Sequence, residues 1–305
     1  MKREDKLIMF SSISDVHRAF GLPKPQNPLI SLTHFNEKNP FNPNQVPIYD
    51  VLSFYKITFI TQSSGRMRYG QHYYDFEEGS MMFLAPHQLV GTSEYGGAAS
   101  SYILLIHPDF LLGYPLAKKI KQYGYFSYSV NEALHLSDNE KETILSVYRI
   151  IEEELNSRID EFSQDVVIAQ IELLLSYANR FYKRQFFTRK AVNNDMLQKV
   201  ETILDGYFND QKALRQGIPT VQYLSGQLHI SPGYLSDMLR SLIGQNAQQL
   251  IHSTLIDKAK EKLSTTQLTV SEIAYELGFE HPQSFNKLFK QKTNQSPLEF
   301  RAGFN

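Results

Sequence analysis

The hydrophobic period of this chain changes once. Between Val51 and His107 apolar residues fall in short alternating runs, and from Ser137 onward they recur every three or four residues. Strands therefore come first and helices follow. In YKITFIT (Tyr55 to Thr61), Ile57, Phe59 and Thr61 share one face and Lys56, Thr58 and Ile60 the other, as a pleated strand requires. GRMRYGQHYYDF and SMMFLAP continue the pattern, with Gln62 to Gly65 read as a hairpin loop, Glu77 to Gly79 as a turn and Pro86 as a strand end. Such spacing predicts an antiparallel barrel or sandwich. Prolines at 23, 25, 28, 40, 43 and 47 exclude long helices upstream and predict extended chain around the β-unit.

In the helical half, Ser137 and Glu140 stand at capping-box spacing ahead of Ile144, Val147, Tyr148, Ile151 and Leu155. A second helix is predicted from Ser163, with Val167, Ile171, Leu174, Leu175, Ala178 and Phe181 on one stripe. It leads into Arg180, Lys183, Arg184, Arg189 and Lys190, which read either as cations complementing a helix end and a linker, or as phosphate contacts. Asn193 to Asp195 mark a boundary. The expected organisation is α+β: residues 1–190 as one domain, with a β-unit over about 28–110 and helices over about 138–187, then an all-α domain over 194–305.

Composition narrows the classes. At 305 residues the chain exceeds one domain of ~100–200 residues. Hydrophobic residues at 42% and charged residues at 21% exclude a mainly disordered chain. Without cysteine there is no disulfide framework, thiolate metal site or cysteine nucleophile, which favours a reducing compartment. The run Leu7 to Phe10 is too short for a signal-peptide core and Tyr102 to Ile106 too short for a membrane span. A cytoplasmic protein without membrane contact is expected.

The last eighty-odd residues hold one unit twice. Val221, Leu224 and Leu228 form a short apolar face, His229 to Ser231 a turn, and Leu235, Met238, Leu239 and Leu242 a second face. Val270, Ile273, Ala274 and Leu277, then Gly278 and Phe279, then Phe285, Leu288 and Phe289 repeat the arrangement. Each copy predicts a helix-turn-helix, with Gly278 in a left-handed corner and Ser231 as a helix cap. Between them Gln245 to Ser264 predicts a linking helix, whose ~30 Å length approaches the ~34 Å between successive major-groove segments on one face of B-DNA.

Helical angles place Gln283, Lys287 and Lys290 outward in the second copy, and Gly233, Asp237 and Arg240 outward in the first with Ser236 at the flank. Gln pairs bidentately with adenine, and Lys reaches guanine or phosphate. Asp237 repels phosphate and accepts usefully only from a cytosine amino group, so the first copy is expected to bind weakly or read narrowly. From Ala191 onward 11 Lys plus Arg balance 11 Asp plus Glu. A DNA binder is usually basic overall, so only the local lysine patch favours DNA, nonspecific affinity is expected to be modest, and tight binding depends on dimerisation or on contacts from both helices together.

SPGYLSDMLRSLIGQN, IDKAKEKLSTT and VSEIAYELGFEHPQSFNKLFKQKTNQSPLEFR together resemble the AraC/XylS family of transcription regulators over the last ~110 residues. The strongest marks are the I-A-x-x-x-G-F stretch, Ile273 to Phe279, and the closing S-P-x-x-[FY]-R, Ser296 to Arg301. The resemblance implies two helix-turn-helix units on a linking helix, both recognition helices entering the major groove of double-stranded DNA. It puts base-reading positions at Gly233, Ser236 and Asp237 and at Pro282, Gln283 and Lys287. Asp237 stands where the family commonly has Arg, and Leu255 replaces the usual Arg of the linking helix. GRMRYGQHYYDFEEGSMMFLAPHQLV resembles the cupin-type β-barrel that often precedes this module. That implies a small-molecule effector in the barrel and a homodimer formed through helices 138–187.

The rival is a metal-dependent cupin-type enzyme with a helical appendage, for which His34, His72, His87 and His107 are the available ligands. No His-x-His pair, G-x-S-x-G elbow, P-loop or G-x-G-x-x-G is present. No catalytic residue, metal ligand or cofactor site is therefore assigned. For the effector, Arg66 and Arg68 share one face of a strand, and Tyr69 and Tyr73 share the other with Met67. Inward arginines predict an anionic effector; outward ones are ordinary surface residues.

Overall fold

The computed structural model describes residues 7–36, 49–62, 66–69, 72–75, 79–91, 100–129, 132–158, 160–188 and 190–304, and the chain divides between Gln185 and Phe186 into two units. The first contains β1 (Leu7–Phe10), α1 (Ile13–Ala19), β2 (Ile30–Phe35), β3 (Tyr49–Leu52), β4 (Tyr55–Gln62), β5 (Arg66–Tyr69), β6 (His72–Asp75), β7 (Ser80–Leu84), β8 (Leu89–Gly91), β9 (Ser100–Ile106), α2 (Leu116–Lys119), β10 (Leu134–His135) and α3 (Asp138–Asn156). The next helix, α4 (Ser163–Thr188), runs across the division. A five-stranded antiparallel sheet has the order β10-β7-β4-β9-β2.

Register makes the two faces of this sheet different. One carries the row Leu32, Leu104, Ile57, Phe83 and the row His34, Tyr102, Phe59, Met81, Leu134. Helix α3 covers it: Tyr148 lies 5.7 Å from Phe59 and 5.4 Å from Tyr102, ring centre to ring centre. The stripe of α4 that the period predicts is indeed buried, from Val167 through Ala178 to Phe181. Phenols tie α4 down, Tyr125 donating to the Leu175 carbonyl at 3.0 Å and Tyr182 to the Glu132 carbonyl at 3.2 Å. Burial pushes the Tyr125 phenol far above its ordinary range, so it stays protonated and able to donate. The capping box of Ser137 and Glu140 opens α3 as expected.

The other face interleaves Ser31, Thr33, Lys56, Thr58 and Ser101 with Ile60, Ile103 and Leu105. A smaller sheet, β1-β3-β8, and helix α1 pack on part of it through Phe10, Ile13, Val16, Leu52 and Phe54 against Leu105. β5 and β6 form a separate hairpin. Among the described residues the strands thus make three sheets and no closed barrel. The small sheet meets the large one through apolar side chains rather than ladder hydrogen bonds, and its β1–β3 pairing is parallel. The extended reading of the N-terminal stretch misses α1, which Ser12 caps by accepting from the Asp15 amide at 3.1 Å. No helix among the described residues is long and apolar enough to cross a membrane.

The second unit is helical: α5 (Lys190–Asn209), α6 (Lys212–Gln216), α7 (Val221–Leu228), α8 (Pro232–Ile243), α9 (Ala247–Thr265), α10 (Val270–Glu276), α11 (Pro282–Thr293) and α12 (Pro297–Ala302). α5 runs straight through Asn193 to Asp195, so no loop lies there. Asn193 is buried because its amide donates to the Phe186 carbonyl at 2.7 Å, which removes the desolvation cost that makes Asn a loop residue elsewhere.

Candidate nucleic-acid interface

Both helix-turn-helix units form over the residues that the repeat marks. In the first, α7 ends at His229 in a left-handed conformation, and Ser231 caps α8 by accepting from the Tyr234 amide at 3.2 Å. Leu235, Met238 and Leu239 are buried. In the second, α10 opens with a capping box of Thr269 and Glu272 and ends at Leu277, followed by Gly278, whose φ is +90°. Phe285 and Phe289 of α11 are fully buried against Leu255, Ala259, Ile273 and Phe279. α9 is the shared support, its Ile251, Leu255, Ile256, Ala259 and Leu263 all buried. Leu255, standing where the resemblance leads one to expect Arg, is core.

With those faces buried, the opposite faces are outward. Gln283, Lys287 and Lys290 are exposed, and Pro282 is half-buried at the start of α11. On α8 Arg240 is exposed while Gly233, Ser236 and Asp237 are half-buried. Asp237 and Arg240 are bonded to each other, Nη1 donating to Oδ1 at 2.5 Å, a pairing the angular reading places side by side without foreseeing.

The neutral overall charge has a local explanation. Lys199 pairs with Asp195, Lys212 with Asp210, Arg240 with Asp237, Lys258 with Asp205, Lys260 with Asp257 and Lys262 with Glu276. Arg301 donates to the Leu263 carbonyl at 3.1 Å, closing α12 onto the last turn of α9. Among the described cations of this unit that leaves Arg215, Lys287, Lys290 and Lys292 without a carboxylate at ion-pair distance, and the three lysines lie together on α11. Two acids are consumed as caps. The Thr269 amide holds Glu272 and the Ser296 amide holds Glu299 below the usual carboxylate range, Lys290 adding to the second. His252 of α9 is held below its ordinary value by burial and then by Lys292, so it stays neutral near pH 7 and adds no charge.

The linker cations divide. Arg184 is structural: it grips Glu140 at 2.6 and 3.0 Å and the His135 carbonyl at 2.7 Å. Arg180 and Lys183 are exposed, and the side chains of Arg189 and Lys190 lie outside the described residues. In the N-terminal unit, register sets Tyr73 opposite Arg68 and His72 opposite Tyr69. Tyr73 therefore falls in the alternation of Arg66 and Arg68 rather than with Met67 and Tyr69, because directly paired residues share a face. The side chains of these residues lie outside the described set.

The histidines of the enzyme alternative are scattered among other roles. His34 stacks on Tyr102 with ring centres 4.0 Å apart, His87 is exposed, and His107 accepts from the Asp109 amide at 3.2 Å. His72 lies in the hairpin outside the described side chains. Among the described residues no three His, Asp or Glu side chains gather where they could hold a metal.

Residues 224–303 match the family model of a helix-turn-helix domain. The chain is 27% identical over 139 residues to an uncharacterized HTH-type transcriptional regulator of Staphylococcus aureus (strain MSSA476), covering 46% of this chain but 17% of that protein. It thus spans only about a sixth of the length of such relatives. It is 22% identical over 256 residues to the uncharacterized HTH-type transcriptional regulator YfiF of Bacillus subtilis (strain 168), covering 82% of this chain and 77% of that one. Among solved structures, the C-terminal domain of the two-component response regulator yesN from Fusobacterium nucleatum is 30% identical, covers 35% of this chain and 98% of that one, and superposes with a TM-score of 0.31. Both of these relatives are named HTH-type transcriptional regulators. Residues 224–303, within the second unit, thus match a helix-turn-helix domain, and the N-terminal unit lies outside that match.

Proposed function

We propose that this chain is a sequence-specific DNA-binding transcription regulator controlled by a small molecule. The observation that carries the reading is the concentration of unpaired positive charge on α11 in a unit whose other described cations are mostly paired. In this reading α8 and α11 enter consecutive major-groove segments of double-stranded DNA. Gln283 reads adenine, Lys287 reads guanine or holds phosphate, and Lys290 holds phosphate. Pro282 starts α11 at the groove, while Gly233, Ser236, Asp237 and Arg240 form the facing surface of α8. Lys287→Ala is expected to weaken operator binding by roughly 1–3 kcal/mol, measured by gel shift at fixed salt with a duplex recovered by genomic-fragment selection. An unchanged affinity would remove Lys287 from the interface.

Effector control is supported by the polar face of the large sheet. Thr58 and Ser101 are buried there beside Lys56 and Thr33, an unusual set for a purely apolar core. In the β5–β6 hairpin, Arg66, Arg68 and Tyr73 alternate on one face and Tyr69 on the other, and inward arginines there would suit an anionic effector. A regulator of this kind works in the cytoplasm, where its DNA is.

The homodimer is supported by the outer stripe of α4. Phe162 just before it, then Val166 and Leu173, are 61%, 37% and 41% exposed, and with Ala169 between them they recur at four- and three-residue steps, the spacing of a helix-pairing seam. Leu173→Glu is expected to raise the dimer dissociation constant by at least about tenfold, read by sedimentation equilibrium. A variant as dimeric as the parent would move the interface elsewhere.

A further inference from the structure

α8 and α11 occupy the same place in their respective units but differ in charge. Between Pro232 and Ile243 the charged side chains are Asp237 and Arg240, and they are spent on each other at 2.5 Å. Between Pro282 and Thr293 there are Lys287, Lys290 and Lys292 and no acid. Resting on the DNA-binding reading above, we infer that the Asp237–Arg240 pair silences α8 electrostatically, so that both counterion release and base discrimination come from α11.

The pair need not be strong to have this effect. When Arg240 swings toward a phosphate it leaves the Asp237 carboxylate facing the same backbone, so attraction and repulsion at similar distances largely cancel. The phosphates neutralised by α8 then total near zero, whereas each lysine of α11 counts as one. Base reading is unequal for a different reason. Gly233 has no side chain and Ser236 a single short hydroxyl, neither able to make the two-point contact that separates one base pair from another. Gln283 and Lys287 have both the reach and the donors. α8 thus fills a groove that α11 reads.

The test is the salt dependence of binding by the full chain, followed by fluorescence anisotropy between about 50 and 200 mM salt on the recovered duplex. Lys287→Ala and Lys290→Ala are each expected to lower the slope of log affinity against log salt by about 0.9, and Arg240→Ala to leave it unchanged. Asp237→Asn frees Arg240 and is expected to raise the slope by about 0.9, which makes its loss of affinity over that range roughly three- to fourfold greater than the parent's. Asp237→Asn combined with Arg240→Ala returns to the parent slope. Base-pair swaps across the stretch bound by one chain are expected to cost roughly tenfold or more in one groove segment and less than about threefold in the other. An Arg240→Ala slope as low as that of Lys287→Ala, an Asp237→Asn slope equal to the parent's, or two equally demanding segments would each overturn the inference while leaving DNA binding intact. A chain that retards no duplex at all removes the reading beneath it, and the inference with it.

Discussion

Gly278→Ala is expected to destabilise the C-terminal unit by about 3 kcal/mol, far more than the same change at Gly244. Both glycines are left-handed, at φ +90° and +72°, and alanine costs about 1 kcal/mol in that region through its own sterics. The difference lies in what surrounds them. A Cβ at Gly244 meets nothing within 4 Å, whereas one at Gly278 comes within 2.6 Å of the Gly217 carbonyl carbon and 2.7 Å of the Ile218 nitrogen. Those are backbone atoms and cannot rotate aside, so the α10–α11 corner separates from the chain leading into α7 or the strain stays, adding ~1–3 kcal/mol. Urea unfolding of the full chain, followed by far-ultraviolet circular dichroism, measures both variants. Equal losses for Gly278→Ala and Gly244→Ala would show that the close approach carries no energy.

Gly278 also shows where sequence reading stops. Its conformation was legible because the repeat places a helix corner there, yet its contact with Gly217 joins residues far apart in sequence, which no local pattern encodes. Other features divide similarly. The capping pair of Ser137 with Glu140 acts within four residues, so its spacing is enough to predict it, and Ser296 with Glu299 forms the same box in the structure. The buried stripes of α4, α8 and α11 follow from the 3.6-residue period alone. The pairing of Tyr73 with Arg68 does not, because strand register depends on where the hairpin turns, and a single-residue slip exchanges the faces. The neutral charge of the last 115 or so residues misleads for a related reason: composition counts charges, while affinity depends on which ones remain unpaired after folding. Only the folded chain shows Lys262 committed to Glu276 at 2.7 Å and Lys258 to Asp205 at 3.3 Å while Lys287 stays exposed. Arg301 is a further case. The closing motif marks it as part of the family pattern, and the structure makes it a strut between α12 and the end of α9 rather than a groove contact.

Phe285→Ala is expected to cost about 3–5 kcal/mol, the largest effect of a single truncation in the proposed interface, and to weaken DNA binding without removing any DNA contact. Phe285 is fully buried, with its ring centre 5.4 Å from that of Phe279 and 5.7 Å from that of Phe289. The row continues from Phe289 to Phe300 at 5.6 Å, so α11 is fixed to α10 on one side and α12 on the other through these rings. Truncation leaves a cavity between rigid neighbours, which have little freedom to collapse into it. Domains of this size are stable by only ~5–15 kcal/mol, so a large share of the total disappears. Phe285→Leu, which keeps most of the volume, is expected to lose less than about 2 kcal/mol. If Gln283 and Lys287 act from a rigid α11, affinity should fall with the packing, Phe285→Ala below Phe285→Leu below the parent, at temperatures where all three remain folded. Equal affinities for folded Phe285→Ala and the parent would mean that the rings stabilise the unit but do not position its lysines.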